Sequence, residues 1–316
     1  MSKRGSFPIA LGLGLSLLGM SCSEHVEVGR DLALSGGAAG AAISIAGLGG
    51  NGGLDLNTGG TTDASSGGSD GGVAHACSVT PCQGQVYQCG DCIDNDGDGL
   101  IDSDDPDCWG PCDNTENSYY GGIVNQNNAP CRQGCYFHGE TGSASDRCYW
   151  DHECDPLSVA PGYPPSGDSR CSYDPSATIP GSGSTCAELS VTQAPECLSY
   201  CLPITPNGCD CFGCCELPAD SGQFVWIGSN TKNVGTCDAA HVGDPSACEP
   251  CTPVASCFKA CDPCEVCVGR AAPAASCATL GSGRCAAGVA ECGQPGEADC
   301  PADNYCITGC CQEAPR

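Results

Sequence analysis

The sequence predicts small disulfide-rich modules, mostly coil and short β with a few short helices and little hydrophobic core. Three observations predict that class. The chain has 33 cysteines in 316 residues, a density that belongs to oxidising compartments rather than a reducing cytosol. Its 46 glycines and 23 prolines imply frequent turns, and aromatic residues make up only 5% of it, so a large apolar interior has few side chains to build from. Cross-links must substitute, each contributing about 2–4 kcal/mol by restricting the unfolded chain, and reduction is expected to unfold the protein.

The first segment, residues 1–21, reads as an export signal. Lys3 and Arg4 give a positive start, and Phe7 to Leu18 supply an apolar stretch too short to span a bilayer. The run Leu17-Leu18-Gly19-Met20-Ser21-Cys22 resembles a bacterial lipobox, which implies cleavage before Cys22 and lipidation of that cysteine. It departs from the usual pattern in carrying Gly19 three residues before the cysteine, with Leu18 one step further back; without lipidation the chain would be secreted. Parity agrees with the lipobox, because setting Cys22 aside leaves 32 cysteines, an even number. With the signal removed, 38 acidic side chains face nine basic ones. So acidic a surface repels nucleic acid and anionic headgroups, which excludes both as partners, and leaves the lipid anchor as the only membrane contact.

Residues 22–76 form the second segment. From Ser23 to Ala76 there is no cysteine, and Gly36 to Gly72 is dominated by Gly, Ala, Ser and Thr. That composition predicts a flexible tether with a root-mean-square reach of roughly 40 Å. The mildly apolar stretch Ala38 to Leu48 is too short and glycine-rich for a second membrane span.

The cysteine-rich body divides by parity. Cys77 to Cys112 holds six cysteines, Cys131 to Cys215 twelve and Cys237 to Cys311 fourteen, which suggests modules at 77–112, 113–216 and 217–316. A boundary at 269–276 would leave odd sets, so at least one disulfide is expected across it. The adjacent pairs Cys214-Cys215 and Cys310-Cys311 are each expected to staple two other segments rather than bond internally.

Regular structure is expected to be sparse. Gln223 to Ile227 is the best strand candidate by its aromatic and β-branched content. Short helices are expected over Pro195 to Leu202, and over Pro253 to Cys261 with Thr252 as N-cap. In both, cysteines recur four apart, on one helical face. Asn207-Gly208 reads as a tight turn.

The strongest chemical signal is Asp94-Asn95-Asp96-Gly97-Asp98-Gly99-Leu100-Ile101-Asp102-Ser103-Asp104-Asp105. Carboxylates at loop positions one, three, five, nine and twelve, glycine at six and an apolar residue at eight follow the ligand spacing of an EF-hand-type calcium loop, with Asp for Glu at twelve. Calcium needs six to eight oxygens converging at about 2.4 Å, which alternate carboxylates supply only around a tight loop. Leu100, at position seven, would give a backbone carbonyl.

No helical pattern flanks the loop; Cys89 and Cys92 precede it, and Cys108 and Cys112 follow. Residues 89–108, with their Asp-Asn-Asp-Gly-Asp-Gly core, resemble thrombospondin type 3 calcium repeats and the short metal-binding motifs of secreted and surface proteins of myxobacteria. The resemblance covers about twenty residues and, unlike thrombospondins, occurs once. It implies Asp94, Asp96, Asp98, Asp102 and Asp105 as side-chain ligands of a calcium ion, expected to be structural.

Other constellations are weaker. His138-Gly139-Glu140 and Pro263-Cys264-Glu265-Val266-Cys267 spell the two elements of zinc deaminases, but they lie over 120 residues apart in a chain where Cys-x-x-Cys matches arise by chance. Cys248-Cys251 and Cys261-Cys264 read as structural disulfide ends, and Cys261, Cys264 and Cys267 lack the fourth ligand of an iron-sulfur motif. Of five scattered histidines, His138 and His152 share a module and with Trp150 could form a copper or zinc site. The leading expectation is therefore a non-catalytic, calcium- and disulfide-stabilised surface lipoprotein of the cell envelope, in the outer membrane and facing periplasm or cell surface. Its role would be binding, adhesion or envelope structure, with an extracellular protein or glycan as ligand. A copper- or zinc-handling lipoprotein is the alternative, and an exported hydrolase using His138 and Glu140 the second.

Overall fold

The computed structural model describes residues 77–123, 131–139, 146–157, 171–262, 264–270, 285–294 and 297–316. The chain divides into two units after Ser69, and every described residue lies in the second. The signal, Cys22 and the whole of the expected tether fall outside the described residues.

The fold is disulfide-rich, with short strands, coil and two α-helices among the described residues. Strands pair only as antiparallel twos: β1 (Arg132–Gln133) with β2 (Trp150–Asp151), β3 (Cys214–Glu216) with β4 (Phe224–Trp226), β5 (Asn230–Thr231) with β6 (Val234–Gly235), and β7 (Asn304–Ile307) with β8 (Cys310–Glu313). Strand β4 lies inside the expected 223–227 segment, its partner register running from Cys214 opposite Trp226 to Glu216 opposite Phe224. Thr308 and Gly309 join β7 to β8 with φ of 44° and 82°, the positive pair a two-residue hairpin demands.

Helix α1 (Cys186–Val191) is six residues long and begins with a capping box: the Glu188 amide donates to Thr185 Oγ1 at 3.4 Å, and the Thr185 amide donates to Glu188 Oε2 at 2.8 Å. Helix α2 (Pro195–Ile204) starts with proline at its first position, as expected, and runs two residues past Leu202. Its buried face carries Cys197 and Cys201, bonded to Cys148 and Cys135, so the four-residue spacing clamps one helix at two points. The helix expected over 253–261 does not form; only a 3-10 turn at Ala255–Cys257 is present. The Val254 amide donates to Asp210 Oδ2 at 2.7 Å. The Lys259 amide, which a helix would direct to the Ala255 carbonyl, donates to the Cys209 carbonyl at 2.9 Å while the Lys259 carbonyl accepts the Gly208 amide at 2.7 Å, so a neighbouring segment takes backbone groups the helix would use.

Disulfides run through the interior. Both adjacent pairs staple separate segments: Cys209–Cys215 with Cys214–Cys251, and Cys285–Cys310 with Cys300–Cys311. The bond Cys214–Cys251 spans the 216/217 junction, so the even cysteine counts do not correspond to closed sets. Cys264 is also bridged, and the bond expected across 269–276 lies outside the described residues.

Most buried half-cystines and large aromatics share one core, with Cys131 and Cys171 forming a small separate cluster. Trp109 packs on Tyr136 and Phe137 with ring centroids 5.4 and 5.1 Å apart, Tyr136 reaches Trp226 at 6.5 Å, and Trp150 stacks on Phe212 at 5.8 Å. These rings come from all three cysteine-rich segments, and each pair adds about 0.5–1.5 kcal/mol beyond the area it buries. The C-terminal residues return to the turn after Cys82: the Gln83 amide donates to the Pro315 carbonyl at 2.7 Å. Among the described residues no helix is long and apolar enough to cross a membrane.

Candidate metal centre

Residues 77–123 contain ten Asp and Glu side chains and no Lys, Arg or His. The fold folds this charge onto itself. The disulfides Cys77–Cys92 and Cys89–Cys108 close the two sides of the acidic loop, and Cys82–Cys112 fastens its base.

Within the loop, Asp94, Asp96 and Asp98 bring carboxylate oxygens within 4.8 Å of one another. Their oxygens accept the loop's own amides: Asp94 from Gly97 at 2.6 Å and Gly99 at 3.1 Å, Asp96 from Asp98 at 2.9 Å, and Asp98 from Leu100 at 2.7 Å. Gly97 and Gly99 take φ of 85° and 98°, the left-handed turns that curl the chain around these carboxylates. Leu100 is exposed.

A second cluster joins Asp105 to Glu116, both buried, with oxygens and the Cys108 sulfur within 4.8 Å. That sulfur is in a disulfide, so only the carboxylates could hold an ion here. Glu116 accepts the amides of Asn95 at 2.5 Å and Asp102 at 2.9 Å, which ties the loop's start to its end. Asp105 Oδ1 accepts the Asp107 amide at 2.7 Å, whereas its Oδ2 is buried with no hydrogen-bond partner among the described residues.

Asp102 goes elsewhere. It is buried, and its carboxylate accepts the amides of Asp91 at 3.2 Å and Cys92 at 3.1 Å, holding the turn before the loop. Three of the five expected side-chain ligands thus gather together, Asp105 gathers with a residue that the loop spacing did not contain, and Asp102 serves the backbone. Glu116 lies eleven residues beyond Asp105, outside any linear template; the acid-only composition of 77–123 was the available signal.

Burial is the leading cause of raised proton affinity throughout this region. Asp102 and Asp105 are each pushed up to about 7 and Asp107 to about 6; Asp113 is well above the usual carboxylate range and Glu116 is raised. Repulsion from neighbouring carboxylates adds to each, Asp105 feeling Asp96 and Asp98 as well as Asp107. So many buried carboxylates without a basic neighbour require protons or an external cation to offset their mutual repulsion. The donors are oxygen throughout, which suits a hard cation such as calcium.

The other sequence candidates are dispersed. The His138 ring lies edge-on to Tyr200 at 4.6 Å, and the His152 ring lies 6.3 Å from Trp226. Among the described residues no cluster of metal-ligating groups includes a histidine. Glu140 and Pro263 fall outside the described residues. Cys261 bonds Cys267 and Cys264 is bridged elsewhere, which removes the thiolates that a zinc or iron-sulfur site would need; Cys248 and Cys251 bond Cys237 and Cys214, not each other. No family model, curated protein or solved structure matches the chain.

Proposed function

We propose that the chain is an exported, non-catalytic surface lipoprotein, anchored through Cys22, whose body is held by disulfides and one structural calcium ion. Its role would be binding, adhesion or envelope structure, with an extracellular protein or glycan as ligand. The observation that carries the calcium reading is the buried, unpartnered Oδ2 of Asp105 beside Glu116, in a segment of ten acids and no base. Asp94, Asp96, Asp98 and Asp105 would hold the ion, with the Leu100 carbonyl and Glu116 added to the set. Asp102 is better assigned to the turn it already caps. The ion supplies positive charge where the chain has none, rigidifying a segment with little apolar burial. Disulfide density supports the export half of the reading, since such bonds persist outside a reducing cytosol.

Calorimetric titration of chelator-treated protein tests the site. Binding of one calcium ion with Kd of about 10⁻⁴–10⁻³ M is expected, the range of extracellular modules. Saturation at 100 times Kd should add about 3 kcal/mol of stability. Asp105→Asn and Glu116→Gln should each weaken binding. No heat and no rise in unfolding temperature at about 10 mM calcium, tenfold above that range, would sink the calcium assignment.

A further inference from the structure

Two described cysteines carry no disulfide, Cys211 and Cys257, and both are buried. They face each other. The Cys211 amide donates to Cys257 Sγ at 3.3 Å, and Cys211 Sγ donates to the Cys257 carbonyl at 3.6 Å. Their segments run side by side, fixed by the Gly208 amide on the Lys259 carbonyl at 2.7 Å and the Lys259 amide on the Cys209 carbonyl at 2.9 Å. A few residues away, Cys214–Cys251 already links the same two stretches of chain.

From this geometry we infer that Cys211 and Cys257 are a disulfide-forming pair, closed in the mature protein as a second covalent bridge across the 216/217 junction. Every other described cysteine is bridged, so these two are each other's only remaining partners among the described residues. A metal role is unsupported, because no third ligating side chain joins them in any cluster among the described residues. The reaction is thiol–disulfide exchange with a low-molecular-weight or oxidase disulfide. One thiolate attacks a sulfur of that disulfide and expels a thiol; the second attacks the resulting mixed disulfide and expels the other. Two electrons pass to the external disulfide, and the two protons leave with its reduced thiols.

Burial also sets when this happens. The Cys257 thiol is held well above its ordinary range, chiefly by desolvation, so the folded protein offers little thiolate and no access for an external disulfide. The bond must form before the core closes, and once formed it is shielded from reductants that attack exposed bridges.

The inference rests on the export reading, which supplies the oxidising compartment, and the test separates the two. The full chain, produced with its own leader in a bacterial host, is acid-quenched, denatured without reductant, treated with N-ethylmaleimide and digested for mass spectrometry. A peptide pair linked through Cys211 and Cys257, with no adduct on either, is the expected result. Adducts on both, with the remaining bridges intact, would overturn this inference and leave export standing. Adducts on most cysteines would overturn the export reading and the inference with it. In Cys257→Ser, Cys211 should gain one adduct per chain; if wild type and variant are equally unlabelled there, the partner assignment is wrong.

Discussion

Acidification gives the most direct probe of how the interior is built, through His152. Its ring is buried, 2% exposed, and neither nitrogen has a hydrogen-bond partner among the described residues. Burial alone lowers its pKa from 6.5 to about 3; no neighbouring charge contributes. The unfolded chain therefore binds a proton that the folded chain refuses between those values. The histidine's contribution is complete above pH 6.5 and is lost as pH falls toward 3, at about 1.4 kcal/mol per pH unit, or about 5 kcal/mol in all. Asp210, buried and pushed up to about 7, works in the opposite direction over the same range, so the whole protein's acid profile would hide the effect. Comparison with His152→Leu removes that cancellation, because Asp210 and the other carboxylates are common to both proteins. Urea unfolding with disulfides intact, followed by tryptophan fluorescence, should show wild type losing about 3 kcal/mol relative to the variant between pH 7 and pH 4. A difference that stays constant across that range would refute the assignment of His152 as a neutral interior group.

Three further outcomes are expected. Under mild reductant without denaturant, Cys77–Cys92 should open first because Cys77 is exposed, while Cys82–Cys112, with both residues at 0% exposure, should persist until the protein unfolds; timed alkylation and mass spectrometry read the order, and simultaneous loss would contradict it. Gly228→Ala places a β-carbon 2.0 Å from the Trp226 ring and should cost about 1–3 kcal/mol by urea unfolding, whereas Gly243→Ala, whose added carbon meets nothing within 4 Å, should be near neutral. Thr185→Ala breaks the reciprocal cap of α1 and should cost about 1 kcal/mol by the same measurement; an unchanged midpoint would mean the cap is not holding that helix.

The class of fold was legible because cysteine density and turn residues dominate the energetics, and helix α2 was legible in its proline start and four-residue cysteine spacing, although the same two signals at 253–261 gave no helix. Strand β4 showed itself through Phe224, Val225 and Trp226. What sequence could not settle was competition for backbone groups: residues 253–261 carry a good helix start, yet the 208–209 backbone claims the amide and carbonyl of Lys259. Helix α1 has the Thr185–Glu188 capping-box spacing, but six residues are too few for periodicity to register. Pairs such as β1 with β2, two residues each, lie below that threshold too. At the acidic loop, spacing located Asp94, Asp96 and Asp98 together. It could not foresee that Asp102 would turn to the Asp91 and Cys92 amides, nor that Glu116 would enter from a distant turn, because both depend on how the Cys89–Cys108 bridge folds the segment.

The bond between the Gln83 amide and the Pro315 carbonyl sets the body's beginning against its end. Threading order is then separable from architecture: a circular permutant fused from Arg316 to Cys77 through a short linker, and opened at the exposed bend around Ser221, would keep every bridge described above. It also means that a reporter fused after Arg316 would emerge close to the turn at Gln83.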